Sequence, residues 1–130
     1  MDAAKPKVLI IEDNKTIQRL VQIVFEREGF DVSMASDGSD GLRQAFLKPP
    51  QIIILDIMMD GLHGFEVCKM LRANSNMRKT AIIITSARSF KSDIDKGMEL
   101  GADSYVVKPF SPKELLEIAI QQMNKRASLP

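Results

Sequence analysis

The sequence predicts a single α/β domain: five parallel strands in one sheet, doubly wound with five helices. Three observations predict it. Short, almost wholly apolar runs recur along the 130 residues, namely VLII at 8–11, IIIL at 52–55, AIII at 81–84 and YVV at 105–107. Each of the first four strand-like segments is followed by a stretch with apolar residues at helical spacing, and so is the fifth. The central runs also lack the alternating polar residues of a half-solvated strand, so they read as strands buried on both faces.

Taken in order, Lys7–Ile11 is a β-branched, apolar strand. Thr16–Glu28 places Ile17, Leu20, Val21, Val24 and Phe25 on one helical face, and Gly29 supplies the C-terminal stop. Phe30–Ala35 alternates, as a half-exposed strand does. Ser36-Asp37-Gly38 is a turn, and the helix after it carries Leu42, Ala45, Phe46 and Leu47 before Pro49-Pro50 ends it. Gln51–Leu55 is the most apolar strand. Phe65–Ala73 is a helix with Phe65, Cys68 and Leu71 inward; Asn74–Lys79 is a polar loop; Ala81–Thr85 is the fourth strand. Phe90–Leu100 is a weaker helix containing Gly97, and Gly101-Ala102-Asp103 turns into a fifth strand, Ser104–Val107. The last helix runs from Pro112 to about Lys125, with Ser111 as N-cap, Pro112 at the first helical position and Glu114 as the acid of a capping box. The domain is expected to fill residues 1–130, with a core of about 7–123 and a frayed tail or linker start at 124–130.

Composition narrows the function classes. Eighteen Lys and Arg against seventeen Asp and Glu give no bulk attraction to nucleic acid or anionic membrane. One cysteine, Cys68, precludes an internal disulfide and fits a reducing, cytoplasmic location; it reads as a small buried apolar residue. The opening MDAAKPK lacks a signal-like apolar segment, and no run approaches the length of a membrane helix, so no membrane insertion is expected.

Parallel strands deliver their C-terminal ends to one edge of the sheet, where ligands bind. Glu12 and Asp13 follow the first strand, Asp56 ends the third, Thr85-Ser86 end the fourth and Lys108-Pro109 follow the fifth. Three carboxylates gathered there repel one another unless cations intervene. Lys108 is one; an oxygen-liganded Mg2+ suits the rest, and no His/Cys set suits zinc. Each acid alone could be a turn or cap residue, with Asp13-Asn14 able to cap the first helix. The shared edge is what marks them as a set.

These residues resemble the receiver domain of two-component response regulators. The matching pieces are Glu12-Asp13 after KVLII, Asp56 after IIIL, Thr85-Ser86-Ala87 after AIII, and Tyr105 through Lys108-Pro109-Phe110; the likeness spans about Lys7 to Met123. It implies a flavodoxin-like sheet of order 2-1-3-4-5. It implies Asp56 as acceptor of a phosphoryl group from the phosphohistidine of a sensor histidine kinase or a phosphotransfer protein of a phosphorelay. Asp13, Asp56 and the backbone carbonyl of Met58 would hold Mg2+, and Glu12 would act through a metal-bound water. Lys108 would pair with Asp56 and then with the phosphoryl group, Thr85 would bind another phosphoryl oxygen, and Tyr105 would swing inward with Thr85. The Lys108-Pro109 bond would be cis. A receiver catalyses its own phosphorylation and dephosphorylation without turning over an external substrate. It signals through a partner face, here Lys91, Asp95, Tyr105, Lys113 and Glu117, to a downstream protein that the sequence does not name; no direct nucleic-acid binding is expected.

The chain departs from the family pattern at two places. Asp60 stands where proline is common, and His63 where Asp or Asn is common, so the turn after Asp56 should be less stiff and more acidic. His63 reads as a turn residue and Asp60 as a candidate contributor to Mg2+ binding. Met58 and Ala87, beside the site, cannot orient a water, which predicts slow self-dephosphorylation. Two other classes fit the sequence less well. An electron carrier on this topology needs a Ser/Thr/Gly-rich phosphate loop after the first strand, where Glu12-Asp13 would repel phosphate. A phosphate-independent interaction module needs a damaged acceptor site, and this one is intact by sequence.

Overall fold

The computed structural model describes residues 4–59 and 63–130. Its elements alternate as β1 (Lys7–Ile11), α1 (Lys15–Arg27), β2 (Asp31–Ala35), α2 (Gly38–Leu47), β3 (Ile52–Asp56), α3 (Gly64–Ala73), β4 (Ala81–Ser86), α4 (Lys91–Glu99), β5 (Ser104–Val107) and α5 (Pro112–Ala127). The five strands form one parallel sheet ordered β2-β1-β3-β4-β5, as the resemblance implied. The order reverses between β1 and β3, which opens a crevice at their carboxyl ends.

Side-chain alternation divides the core in two. Leu9 and Ile11, Ile53 and Leu55, and Ile82 and Ile84 pack beneath α2, α3 and the α4 side. Val8 and Ile10, Ile52 and Ile54, and Ala81 and Ile83 pack with Val21 and Phe25 of α1 and Leu115, Leu116 and Ala119 of α5. The central strands are buried throughout. Each isoleucine or leucine removed from water there contributes about 1.5–3 kcal/mol, which makes β3 and β4 the rigid members of the sheet.

The helices correct several expectations. In α2 the inward residues are Gly38, Gly41, Leu42 and Ala45, while Phe46 and Leu47 are exposed. The true stripe includes two glycines, which carry no apolar side chain to reveal it. Gly41 lets α2 lie directly on Ile11, for a Cβ there would stand 2.5 Å from Ile11 Cδ1. In α1 the inward stripe is Gln18, Val21 and Phe25, and Leu20 is 48% exposed. Phe90 precedes α4 instead of opening it and is 76% exposed. The polar loop after α3 contains a 3-10 turn, Ser75–Met77, whose Met77 is wholly buried. The expected frayed tail is helical through Ala127, because Arg126 donates to Asp103 at 2.8 Å and to the Arg78 carbonyl at 3.1 Å. Cys68 is buried as expected, and burial pushes its thiol up to about 11.

Gly64 begins α3 against the chain that leaves β3. A Cβ at this position would lie 2.1 Å from Ile57 Cα, a backbone atom that cannot yield. Gly64→Ala is therefore expected to destabilise the domain by about 1–3 kcal/mol. Urea unfolding measures it, and an unchanged midpoint would contradict the close approach.

Candidate functional site

Strand parity carries four polar side chains to one place. Continuing β1 by one residue puts Glu12 on the same face as Val8 and Ile10, beneath α1 and α5. Asp56 follows Ile52 and Ile54 on that face, and Thr85 follows Ala81 and Ile83, paired in register with Asp56. Thr85 pairs in turn with Val106, so Lys108 continues the same row. The strand ends thus bring Glu12, Asp56, Thr85 and Lys108 together as the sequence predicted.

The carboxylates are held individually. Glu12, 2% exposed, accepts from Lys108 Nζ at 2.8 Å and from the Asn14 backbone N–H at 3.1 Å. Asp56, 4% exposed, accepts from Lys108 Nζ at 3.3 Å and from the Met58 N–H at 2.9 Å. Asp13 is exposed, and one oxygen from each of Glu12, Asp13 and Asp56 lies within 4.8 Å of the other two. The cap of α1 is Asn14 alone, whose Oδ1 accepts from the Ile17 N–H at 3.0 Å, so Asp13 is left for the site. Lys108 is anchored through its own N–H, 2.7 Å from the Ser86 carbonyl, and its bond to Pro109 is cis.

The electrostatics are those of an acid-rich cluster with too little positive charge. Burial raises the Glu12 carboxyl to about 7, although Lys108 and the Asn14 N–H pull the other way. Burial alone would lower Lys108; the hydrogen bond it donates to Glu12 and the charges of Asp56 and Glu12 outweigh it and hold the ammonium above its ordinary value. Three carboxylates against one ammonium, all presenting oxygen, fit a hard divalent cation.

Tyr105 is half-buried. Its ring packs beside Gly97, whose Cβ would come within 3.1 Å of it, and its hydroxyl donates to the Arg88 carbonyl at 2.9 Å. Ser86, wholly buried, accepts from the Arg88 N–H at 3.0 Å and closes the same loop. Among the partner-face residues, Lys91 and Asp95 form an exposed pair at 2.6 Å, and Lys113 and Glu117 are exposed on α5. His63 caps α3: its Nδ1 accepts from the Phe65 N–H at 3.2 Å and its ring stacks on Phe65, in keeping with a turn residue. Asp60 lies outside the described residues. Sequence reasoning named Met58 for its carbonyl and missed its N–H, which is bonded to Asp56. It also missed Gln18, whose signal was a polar residue in the inward stripe of α1.

A family model for the response regulator receiver domain matches residues 8–120. The chain belongs to the response regulator receiver family. Among curated relatives of this receiver, the alkaline phosphatase synthesis transcriptional regulatory protein PhoP of Bacillus subtilis is 43% identical over 109 residues, covering 84% of this chain and 45% of that protein. The receiver spans about half the length of the curated relatives it matches. Among solved structures, a Francisella response regulator receiver domain superposes with a TM-score of 0.85 at 33% identity, covering 93% of this chain and 98% of the other. A receiver domain of a sensor histidine kinase from Pseudomonas aeruginosa, with a magnesium ion coordinated in its active-site cleft, gives 0.83 at 26% identity and covers 93% and 99%. Among the described residues of the receiver, no helix is long and apolar enough to cross a membrane.

The crowding of carboxylates carries a stability cost that can be measured. At about 5 Å separation a pair of like charges costs roughly 1–3 kcal/mol for an effective dielectric between that of water and of a protein surface. Asp13→Asn is therefore expected to raise the unfolding free energy of the metal-free chain by about 1 kcal/mol. Chemical denaturation in EDTA tests it; a lower stability would mean that Asp13 is not under repulsion.

Proposed function

We propose that this receiver is a phosphorylation-controlled switch whose phospho-acceptor is Asp56. The observation that carries the reading is the meeting of Glu12, Asp13 and Asp56 at the carboxyl edge of a receiver sheet, with Lys108 bonded to Glu12 and Asp56. Transfer of a phosphoryl group needs an aligned nucleophile and compensation of charge more than covalent assistance. Asp56 stands at the end of a strand buried throughout, with one oxygen fixed by the Met58 N–H and the other beside Lys108.

In the reaction, an Asp56 carboxylate oxygen attacks the phosphorus of a phosphohistidine on a kinase or phosphotransfer protein. The P–N bond breaks, the imidazole nitrogen keeps the electron pair, and an acyl phosphate remains on Asp56. Lys108 turns from the carboxylate to a phosphoryl oxygen, and the Thr85 hydroxyl, neighbour to Asp56 in the register, donates to another. Asp13, Asp56 and the Met58 carbonyl would hold Mg2+, with Glu12 acting through a bound water. When bound, the ion supplies charge neutralisation for the transferring group. The acid-rich donor set supports this assignment, as does the coordinated magnesium of the Pseudomonas receiver.

Movement of Thr85 toward the phosphoryl group would be felt by the loop that Tyr105 touches at Arg88. Tyr105 would move inward with it and alter the face bearing Lys91, Asp95, Lys113 and Glu117, which a downstream protein reads. The balanced charge of this chain gives no reason to assign it direct contact with nucleic acid; the transcriptional role belongs to relatives about twice its length. A cytoplasmic location suits the single buried thiol.

Incubation with acetyl phosphate and Mg2+ should add one phosphoryl group, detected by intact mass. Asp56→Asn should add none, and EDTA should abolish the gain. If neither acetyl phosphate nor any histidine-kinase donor modifies the protein, a phosphate-independent interaction module is the better reading. The lifetime of the phospho-form offers a second check. Met58 is half-exposed with only a thioether at its end, and Ala87 is exposed with a methyl, so neither orients the attacking water. Met58→Asn should shorten the half-life severalfold, measured by loss of label; equal half-lives would refute the argument.

A further inference from the structure

Gln18 is a buried amide where α1 should carry hydrocarbon. It shares the inward stripe with Val21 and Phe25, and its solvent exposure is that of a core residue. Its Nε2 donates to the Glu12 backbone carbonyl at 2.9 Å, back across the loop that carries Glu12 and Asp13. Its own backbone N–H donates to the Asn14 carbonyl at 2.9 Å. The backbone bond is the ordinary opening bond of the helix; the side-chain bond is what ties α1 back to the acidic loop.

The consequence follows from peptide geometry. Successive side chains of an extended strand point to opposite faces, so Glu12 and Asp13 cannot both reach the Asp56 side unless the chain turns between them. The Glu12 carbonyl and the Asp13 N–H belong to one rigid plane. Whatever fixes that carbonyl fixes the axis about which Asp13 leaves the backbone. Glu12 is already restrained by its bonds to Ala35, Asn14 and Lys108. Asp13 is exposed, and its direction rests on its backbone.

We infer that Gln18 is a positioning residue for the acidic site, holding the Glu12–Asp13 peptide plane so that Asp13 faces the same point as Glu12 and Asp56. The inference rests on the cation-site reading proposed above. Gln18 itself touches neither the cation nor the transferring group.

The test compares Gln18→Met, which keeps length and burial but removes the donor, with Val21→Ala, which disturbs the same stripe without touching Glu12. In 15N NMR titrations with MgCl2, Gln18→Met should weaken binding about tenfold, whereas Val21→Ala should stay within about twofold of the unsubstituted chain. In metal-free spectra the Asp13 amide resonance should shift and broaden in Gln18→Met and hold its place in Val21→Ala. Equal Mg2+ affinities for Gln18→Met and the unsubstituted chain would overturn the inference, and so would equal weakening by both variants. Absence of any Mg2+-dependent shift in the unsubstituted chain would instead overturn the cation-site reading. The metal-free Asp13 resonance then still decides whether Gln18 holds the loop.

Discussion

Two carboxylates buried at the end of one sheet can coexist only with a cation between them, and in this chain that cation is Lys108. Its ammonium lies 2.8 Å from Glu12 and 3.3 Å from Asp56. The rest of the carboxyl edge is arranged around that triplet. The Ser86 carbonyl anchors the backbone of the lysine, the Met58 N–H steadies Asp56, and Asn14 steadies Glu12 while capping α1. Removing either partner from such a group leaves an uncompensated buried charge, which is strongly destabilising. The lysine is thus a condition for folding this edge of the sheet.

A second buried ionic cluster shows what a structural one looks like. At the opposite edge of the sheet, Asp103 takes Arg72 at 2.9 Å, Arg126 at 2.8 Å and the Ile82 N–H at 2.8 Å. Arg72 also donates to the carbonyls of Gly101 and Met77. One acid there has two guanidiniums and a backbone donor, and the group ties α3, β4, β5 and the end of α5 together. The acidic edge has the reverse imbalance, three acids to one cation. Satisfied charge at one edge and unsatisfied charge at the other separate scaffold from candidate site more clearly than burial does, since both clusters hold acids sheltered from solvent.

Most of this was legible because the information is local. An apolar run names a strand, its last residue names the edge, and four such runs with one alternating strand, each followed by a helix, name a parallel sheet. Glu12, Asp56, Thr85 and Lys108 each stand at a fixed offset from a run, and that offset assigns them to one edge. What escaped was set by contacts between distant parts of the chain or by residues without the expected side chain. The inward stripe of α2 hides behind Gly38 and Gly41. The continuation of α5 depends on Asp103, more than twenty residues away, and the burial of Met77 on the packing of a turn that reads as polar. Gln18 was passed over because hydropathy treats an amide as an outward residue, whereas its partner is a carbonyl that periodicity does not see.

The row formed by Glu12, Asp56, Thr85 and Lys108 has an implication for how such a chain can vary. Membership of the row is decided by counting: each residue stands an even number of positions from a core residue on the α1 and α5 side. Exchange of one isoleucine for another apolar residue of similar volume leaves the count intact, and cores tolerate such exchanges. Insertion or loss of a single residue within β1, β3, β4 or β5 turns the terminal side chain to the opposite face. The composition of the strands is therefore free to drift over a wide range while their length is not. The address of the site is written in the spacing of the chain, and the identities of the apolar residues carry little of it.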